Sequence, residues 1–465
     1  MSDPKSGLLL ASLLILILGA CTTPTLNPLP ASTVTPLTSL VAIGEQLTCA
    51  DLDSPWGTAD WPRVLNILHR LQESQQSCGS ESLKSKEYAA HFNYAAALET
   101  RGQRAEAIEQ YRAALTINLH GREALTALVR LNALPTLPPP SCQPTEVSAY
   151  SPLSGDFVVT AERGFTLGGR PFYLHGLNYY PRHAPWEAFL TSADMTEVAH
   201  ELDLIAKAGF NTLRIMVWYE PLFTCTPEDA VPNAEGFAKL DTLIALAHEH
   251  NLRLIVTLHD LPDLYFRPLY TDYARYDAQT AFIVKRYHAE PTILAWDLRN
   301  EPDLDYGADG RPAVASSEDV LKWLAHSATL IRQTDQQHLI TIGWWGDPTS
   351  ADEFVDFLSF HHWAAASTLA QRIRSAQAAS AKPLVLEEVG YPAWDQNSET
   401  QQAKSLQETI GVAENNGVTG WLIWAAFDFT PPAGQASNPE YFFGLWRTDL
   451  TPKPALTVLP LQHQP

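Results

Sequence analysis

Two glutamates follow short apolar stretches of the sequence, Glu301 after residues 293–298 and Glu388 after residues 384–386. Pro302 must stop regular strand pairing, so the first stretch is expected to be a buried strand that delivers Glu301 at its C-terminal tip. Two carboxyl groups held close together resist ionising at the same time, so one can donate a proton while the other acts as a base or nucleophile. Each motif alone also fits an ordinary strand end, so the surrounding elements must decide between these readings.

The chain beyond residue 150 predicts how these carboxyls are held. Short apolar runs alternate there with helical stretches, and eight such units are typical of a closed (β/α)₈ TIM barrel. An open, doubly wound sheet is the structural alternative, but no glycine-rich phosphate loop follows the first strand. A β-hairpin over 157–172 is expected before the barrel. The expected barrel strands are 173–177, 212–217, 252–258, 293–298, 339–343, 357–361, 384–388 and 421–425.

The C-terminal ends of these strands are rich in polar and aromatic residues. Function sits at that end of a TIM barrel, so these positions are candidate site residues. A barrel top built only as a structural plug would not need them. They are His175 within the first strand and Asn178 after it, with Arg214, His259, Asp260, Asn300, Glu301, Trp344, Trp345, His361, His362, Trp363, Glu387, Glu388 and Trp424.

The order of these motifs resembles clan A glycoside hydrolases, most of all the cellulase and mannanase group called family 5. The motifs are Asn-Thr-Leu-Arg214, Asn300-Glu301-Pro302, Ser359-Phe360-His361-His362-Trp363, Glu388-Val389-Gly390 and Trp424, with a similar closing segment over 444–454. The resemblance covers about residues 157–459. It implies a retaining glycoside hydrolase that cuts a β-linked, most simply β-1,4-linked, glucan or mannan without a cofactor or metal.

The resemblance also implies a role for each catalytic residue. Glycoside hydrolysis needs two carboxyl groups across one glycosidic bond. Glu301 is expected to hold its proton to higher pH and to act as acid and then base, with Glu388 as the nucleophile. Neighbouring residues of a strand point to opposite faces, so only one of Glu387 and Glu388 is expected to face the site, and the Glu-Val-Gly register selects Glu388. Arg214 would keep Glu388 ionised.

The remaining candidates would hold the sugar. Asn300 would bind its 2-hydroxyl, His361 would hold another hydroxyl, and Trp424 would form an apolar platform. Trp363 stands where many relatives carry a tyrosine, and an indole lacks the phenolic oxygen. His259 fits either the sugar site or a structural role. Further subsites could be lined by Trp186, Trp218, Tyr265, Trp344 and Trp345.

Two other functions fit the same barrel. A surface-anchored carbohydrate-binding or scaffold protein would use a degenerate site, but a pure binder has no need of a proton donor opposite a nucleophile. A transglycosylase would share the covalent intermediate and differ in which acceptor reaches it. The sequence leaves glucan against mannan, and endo against exo action, open.

The first 21 residues resemble a bacterial lipoprotein signal. Lys5 precedes an apolar run from Leu8 to Leu18 that is too short to span a bilayer, and Leu-Gly-Ala-Cys21 matches the lipobox. Cleavage would leave Cys21 as the lipidated end of a protein exported to the cell envelope. No acidic retention signal follows Cys21, which favours the outer membrane in a double-membrane bacterium. An ordinary secretory signal with an incidental cysteine is the alternative.

The residues between the signal and the barrel divide by composition. Residues 22–44 are rich in Thr and Pro and are expected to be an extended tether, and 134–149 a stiff proline-rich linker. Residues 45–133 predict a small all-α module, whose segment 88–131 resembles the tetratricopeptide repeat. Only about one and a half repeats are visible, fewer than a free-standing superhelix needs. We expect a module that docks on the barrel domain or contacts another protein.

The net charge limits the possible binding partners, and the cysteines limit the possible disulfides. The 31 basic and 52 acidic side chains give a net charge of −21, which argues against nucleic acid or polyanionic glycans and favours a neutral glycan. Four cysteines besides Cys21 allow three disulfide pairings in an exported protein. Cys49 with Cys78 is preferred because the two flank one predicted helix, which leaves Cys142 and Cys225.

Overall fold

The computed structural model describes residues 47–72, 77–78, 81–118, 121–135, 146–223, 230–262, 264–265, 269–271, 273–431 and 438–461. Cys21, Cys142, Cys225, the signal over 1–21 and the tether over 22–44 lie outside these residues. The chain divides into two compact units, the described residues of the first being those up to Ala133. No helix among the described residues is both long and apolar enough to cross a bilayer.

The first unit is helical. Its core is formed by apolar side chains such as Val64, Leu68 and Leu83. The predicted disulfide between Cys49 and Cys78 is confirmed. The helices are α1 (Asp53–Gly57), α2 (Trp61–Gln72), α3 (Leu83–Thr100), α4 (Arg104–Ile117) and α5 (Arg122–Arg130), and the two short strands are β1 (Ser77–Cys78) and β2 (Glu81–Ser82).

Helices α3 and α4 form the helical pair that the repeat-like segment predicts. Gly102 at the turn has φ +76°, a left-handed conformation that favours glycine. The small residues Ala95 and Ala107 and the ring of Tyr111 are buried, as expected where two helices approach closely. The pair is a helical hairpin, and its relation to the tetratricopeptide repeat stays a prediction.

The second unit is the predicted barrel. Its eight strands pair in parallel and in chain order, and the last pairs with the first, which closes the sheet. The fold is therefore a (β/α)₈ barrel preceded by a helical region. The strands are β6 (Leu174–Asn178), β7 (Thr212–Met216), β8 (Arg253–Thr257), β9 (Ile293–Asn300), β10 (Leu339–Trp344), β11 (Leu358–His361), β12 (Leu384–Glu388) and β13 (Gly420–Ile423).

Helices of the second unit surround the strands and bury apolar faces against them. Long helices follow most of these strands, and Asp194 caps the one that begins at Met195 by accepting from the Thr196 N–H. The full set is α6 (Phe189–Ser192), α7 (Met195–Lys207), α8 (Tyr219–Leu222), α9 (Ala234–Glu249), α10 (Tyr273–Tyr287), α11 (Ser317–Thr334), α12 (Ala366–Ala379) and α13 (Gln396–Asn415).

A small antiparallel sheet packs at the N-terminal end of the barrel. The predicted hairpin is extended to three strands, β3 (Val158–Ala161), β4 (Gly164–Leu167) and β5 (Arg170–Phe172), and Gly168-Gly169 forms the second turn. Phe165 of this sheet packs edge-on against Phe357. The lower interior of the barrel is thus apolar, and the polar side chains are gathered toward the C-terminal end of the strands.

Candidate active site

A register shift in β9 places Glu301 at the barrel mouth. Thr341 of β10 pairs with Asp297, but Gly343, two residues later, pairs with Asn300, three residues later, so β9 carries one extra residue. Such a bulge re-aims the side chains that follow it. Glu301 itself adopts a left-handed backbone with φ 48°, and its N–H donates to the Gly343 carbonyl at 2.7 Å. Its carboxyl side chain is 16% exposed.

A second shift, in β12, changes the prediction for the neighbouring glutamates. Phe360 pairs with Leu386, whereas His361 pairs with Glu388, so Glu387 is the extra residue. The expectation that these two side chains point to opposite faces is wrong, because the bulge breaks the alternation. Both carboxylates turn inward, and both face Arg214 and His361. Glu388 is at the mouth, and Glu387 is fully buried.

Arg214 is a fully buried cation surrounded by acceptors. Its Nη1 donates to Glu388 Oε1 and to Asn178 Oδ1. Its Nη2 donates to Asp297 Oδ2 at 2.7 Å and to Asn300 Oδ1 at 3.0 Å. A buried charge without such partners would be costly, so the cluster depends on Arg214 and Arg214 depends on the cluster.

His361 joins the two candidate catalytic carboxyls. Its Nδ1 lies 2.7 Å from Glu301 Oε1 and 3.3 Å from Glu388 Oε2. One carboxylate oxygen of Glu301 and one of Glu388 lie within 4.8 Å of each other and of the ring. The sequence assigns His361 to a sugar hydroxyl, and in the unliganded protein its Nδ1 faces the carboxyls.

Burial and charge set the ionisation of this cluster. Burial raises the pKa of Glu388 to about 7, although His361 and Arg214 oppose that rise. Burial also acts against the charged ring of His361, but Glu388 and Glu301 outweigh it and raise the pKa of His361 to about 10. The raised carboxyl pKa was expected at Glu301, and the structure places one at Glu388. Groups this close titrate as a unit.

Asn300 belongs to a hydrogen-bonded row that borders the site. Its Oδ1 accepts from Arg214, and its Nδ2 donates to Asp260 Oδ1 at 3.0 Å. The other oxygen of Asp260 accepts from the Tyr180 hydroxyl, which in turn accepts from Trp218 Nε1 at 2.8 Å. These hydrogen bonds fix the orientation of the Asn300 amide, with its oxygen toward Arg214 and its nitrogen toward Asp260.

Trp424 lies at the mouth with a carboxyl beside its indole nitrogen. Nε1 donates to Glu440 Oε1 at 3.1 Å. Burial raises the pKa of Glu440 to about 8, and the nearby charges of Glu388, Asp260 and Glu301 add to the rise. Trp363 is half-buried and packs edge-on against Phe443 at 5.7 Å. The sequence predicts the two tryptophans but misses Glu440, which no local pattern marks.

Two predicted positions are corrected. His259 does not face the mouth, because its ring is buried among Tyr219, Tyr276 and Trp323, and burial followed by the charge of Arg299 lowers its pKa to about 3. Its neighbour Asp260 is the residue of that strand end that reaches the site. Trp344 is 1% exposed and belongs to the core, so it is not a sugar subsite.

Asp297 is a further site residue that the sequence analysis misses. It lies inside the apolar strand β9 and accepts from Arg214, from Thr257 Oγ1 at 2.6 Å and from the Gly343 N–H at 3.1 Å. A charged residue within an apolar run needs a buried partner, and Arg214 in β7 shows the same signal. A search for an oppositely charged partner of Arg214 within the apolar strands would have identified Asp297.

Glu301, His361 and Glu388 are also the one group among the described residues with the spacing of metal ligands. The distances within this trio are those of hydrogen-bonded acid and base partners.

The sequence of the barrel is similar to those of known proteins. A sequence profile described as cellulase (glycosyl hydrolase family 5) matches residues 169–428. Mannan endo-1,4-β-mannosidase A of Podospora anserina is 26% identical over 320 residues, which are 56% of this chain and 79% of that protein. Mannan endo-1,4-β-mannosidase A of Hypocrea jecorina is 24% identical over 62% of this chain and 74% of that protein.

A solved structure shows the same fold. The exo-β-1,4-mannosidase of Opitutaceae bacterium strain TAV5 superposes with a TM-score of 0.54 at 22% identity, over 66% of this chain and 60% of that one. At 22% sequence identity, this likeness is evidence for the barrel fold alone.

Proposed function

The chain belongs to the cellulase family, glycosyl hydrolase family 5, and is a glycoside hydrolase; from this premise we propose that it cleaves β-1,4-linked mannan or glucan with retention of anomeric configuration. Glu388 is the nucleophile, and Glu301 is the acid and then the base. The family relationship supports the reaction class, and the assignment of residues is our inference from the geometry.

The observation that carries the proposal is the closeness of the two carboxyls. Their nearest oxygens lie within 4.8 Å, across His361. Retaining enzymes hold the two groups about 5–5.5 Å apart, whereas inverting enzymes need about 6.5–9.5 Å to admit a water. The spacing therefore favours direct attack by Glu388 on the sugar.

In the first step, a Glu388 oxygen attacks the anomeric carbon while Glu301 gives its proton to the glycosidic oxygen, and that carbon–oxygen bond breaks. The leaving sugar carries the proton away, and a glycosyl ester remains on Glu388. In the second step, Glu301 takes a proton from a water that attacks the same carbon and releases Glu388. Arg214 and His361 stabilise the carboxylates that each step produces.

Asn300 and Trp424 fit the sugar that is attacked. Asn300 lies next to Glu301 and would bind the 2-hydroxyl, an interaction expected to strengthen in the transition state. Trp424 would support the apolar face of the ring, oriented by Glu440.

Mannan is the preferred substrate within this proposal. The relatives matched along most of their length are named mannan endo-1,4-β-mannosidases, and this supports mannan over glucan. A panel of soluble mannans and β-glucans, scored for reducing ends and product length, tests the choice and separates endo from exo action. Release from β-glucan alone would reject mannan.

The residue assignment is tested by covalent labelling. A 2-deoxy-2-fluoro glycoside with a good leaving group should trap the ester on Glu388, read by peptide mass spectrometry, and Glu388→Ala should abolish both labelling and turnover. Label on another carboxylate would overturn the assignment.

The acid is tested by rescue. Glu301→Ala should retain cleavage of activated aryl glycosides, and azide should restore part of the lost rate with a β-glycosyl azide as product. An α-azide would mean that azide attacks in place of Glu388.

We also propose that Cys21 is lipidated and anchors the enzyme to the cell envelope. The support is the lipobox order Leu-Gly-Ala-Cys in the sequence. Expressed in a bacterium fed a labelled fatty acid, the chain should incorporate the label and sediment with membranes, and Cys21→Ala should do neither. Equal label in both proteins would reject the anchor.

A further inference from the structure

Glu387 is a buried carboxylate that the two-step reaction does not use. Its side chain has no exposed surface, so it cannot touch the sugar. Burial opposes its ionisation, yet Arg214 and His361 outweigh burial and keep the pKa of Glu387 below its usual value. Glu387 is thus an ionised, buried side chain directly beneath Glu301 and Glu388, and the two-step reaction does not explain why a charge lies there.

Glu387 lies beside two buried cations, Arg214 and His361, and of these only His361 can gain or lose its charge near neutral pH. Oε2 accepts from Ser359 Oγ at 2.8 Å, and Oε1 lies 3.7 Å from Arg214 Nε. Oε2 also lies 3.8 Å from His361 Nε2. Asp297, across the barrel, is a competing anion that already has Arg214 and Thr257 as donors. Glu387 is therefore the carboxylate on the inner side of the His361 ring.

The ring of His361 is thus enclosed by acceptors on both sides. Nδ1 faces Glu301 and Glu388, and Glu388, which must be ionised to act as the nucleophile, accepts but does not donate. An Nδ1 hydrogen is therefore held toward Glu388 even while Glu301 carries its proton. Nε2 has no hydrogen-bond partner among the described residues, and Glu387 is the charged group that it faces. A bare lone pair at Nε2 would point at a negative charge, whereas an N–H there would be attracted to it.

We propose that Glu387 is a positioning residue that keeps His361 as an imidazolium with Nδ1–H aimed at Glu301 and Glu388. The charge that Glu387 supplies from below lets the ring serve as a second cation beside Arg214. When Glu301 has given up its proton, the imidazolium stabilises the carboxylate that remains. The catalytic part of this inference rests on the proposed function, whereas the charge and orientation of the His361 ring do not depend on the substrate.

The direct test is the titration of His361 in the unliganded enzyme. With ¹³C-labelled histidine, the His361 signal, assigned by its loss in a His361→Asn variant, should stay that of an imidazolium until the pH approaches 10. In Glu387→Gln, which keeps the shape but removes the charge, the midpoint should fall by at least about one pH unit. The same variant should lose about tenfold in kcat, the rate equivalent of one pKa unit, with KM unchanged.

Asp335→Asn is the matched control. Asp335 forms a buried pair with His338 before β10, at the opposite end of the barrel. Asp335→Asn also removes a buried carboxylate charge, so this variant should be less stable, but its His361 titration and its kcat should be unchanged. Glu387→Asp, which retains the charge, should keep most of the raised midpoint.

An unshifted His361 midpoint in Glu387→Gln overturns the inference, whether or not kcat falls. A failure of the proposed function would instead appear as no glycan cleavage with the shift intact. If Glu387→Gln does not fold, Ser359→Ala decides: it removes the hydroxyl that holds Glu387, and the midpoint should fall by a smaller amount. No fall in that variant also overturns the inference.

Discussion

Arg214 shows how one residue organises the charges of the mouth. Three carboxylates from two strands, Asp297, Glu387 and Glu388, face a single guanidinium with no exposed surface. One cation cannot fully compensate three anions, so the remaining charge must be met by His361 or by protons. Burial accordingly raises the pKa of Asp297 to about 6, with the charge of Glu387 adding to the rise that Arg214 opposes.

The raised pKa of Glu388 predicts the acidic limb of the pH profile. As the proposed nucleophile, Glu388 must be ionised to attack, so activity should be lost as the pH falls through its pKa. We expect kcat/KM to decline below about pH 7 and to be flat just above it. Glu440→Gln removes another carboxyl whose pKa is raised near the mouth, and it should leave the pH of this acidic limb nearly unchanged. A profile that stays flat down to about pH 5 would contradict the assignment.

Gly343 is a residue whose lack of a side chain makes room for the cluster. A Cβ there would lie 2.7 Å from His361 Nε2, 2.8 Å from Glu387 Oε2 and 2.9 Å from Arg214 Nη2. Gly343→Ala should therefore push these groups apart and lower kcat at least about tenfold, with a loss of about 1–3 kcal/mol in unfolding free energy. Steady-state kinetics and urea unfolding measure both.

The control for Gly343→Ala is Gly411→Ala in α13, where, among the described residues, no atom beyond the neighbouring backbone of the helix itself lies within 4 Å of the added Cβ. That variant should keep full activity and gain stability, because alanine favours a helix over glycine. Full activity in Gly343→Ala would show that the cluster tolerates the methyl group.

At the residue level, the sequence predicts some positions and misses others for a physical reason. Arg214 and Asn300 are recognisable because polar residues inside or directly after apolar runs need buried partners. The inward turn of Glu387 depends on a register shift between β11 and β12. Pairing across strands is not a local property, so strand alternation alone gave the wrong face.

At the scale of elements, all eight barrel strands lie where the apolar runs predict them, because strands buried on both faces are continuous apolar sequences. The two glutamates proposed as catalytic, Glu301 and Glu388, both come directly after irregular strand pairing, in β9 and in β12. Bulges are frequent next to active sites because they re-aim side chains. The element positions are predictable, and the irregularities that aim the carboxyls are not.

Lys453 of the closing segment joins the loops that follow β12 and β13. Its fully buried Nζ donates to Asp428 Oδ1 at 2.7 Å and to the carbonyls of Ala393 at 2.8 Å and Phe442 at 3.1 Å. Lys453→Met should leave Asp428 buried without its cation and lower the unfolding free energy of the barrel by about 3–5 kcal/mol.

Chemical unfolding followed by tryptophan fluorescence measures this loss. Lys322→Met removes an exposed pair with Glu318 on α11 and should have no measurable effect. Equal stability of the Lys453 and Lys322 variants would mean that the closing segment does not hold the loops of the mouth.

At the scale of the whole chain, the helical region and the barrel have separate cores. The buried apolar side chains of the helical unit lie between residues 52 and 131, and the barrel core clusters are drawn from residues beyond 146. The composition of the sequence predicts this division because the proline-rich stretch separates a helical pattern from an alternating one. The sequence does not predict what the helical unit binds, since binding depends on the shape and charge of its surface, which the spacing of apolar residues does not reveal.

The separate cores predict that the barrel folds without the helical unit. A chain beginning at Glu146 keeps all the described barrel strands, Glu301 and Glu388, and loses the helical unit with its Cys49–Cys78 disulfide and its own core. It should be monodisperse and should hydrolyse an aryl β-mannoside with unchanged kcat/KM, while its Glu388→Ala variant is inactive. Calorimetry should show the barrel transition at the temperature that it has in the full chain. A fragment that aggregates, or an active one whose transition is lowered, would mean that the helical unit stabilises the barrel directly.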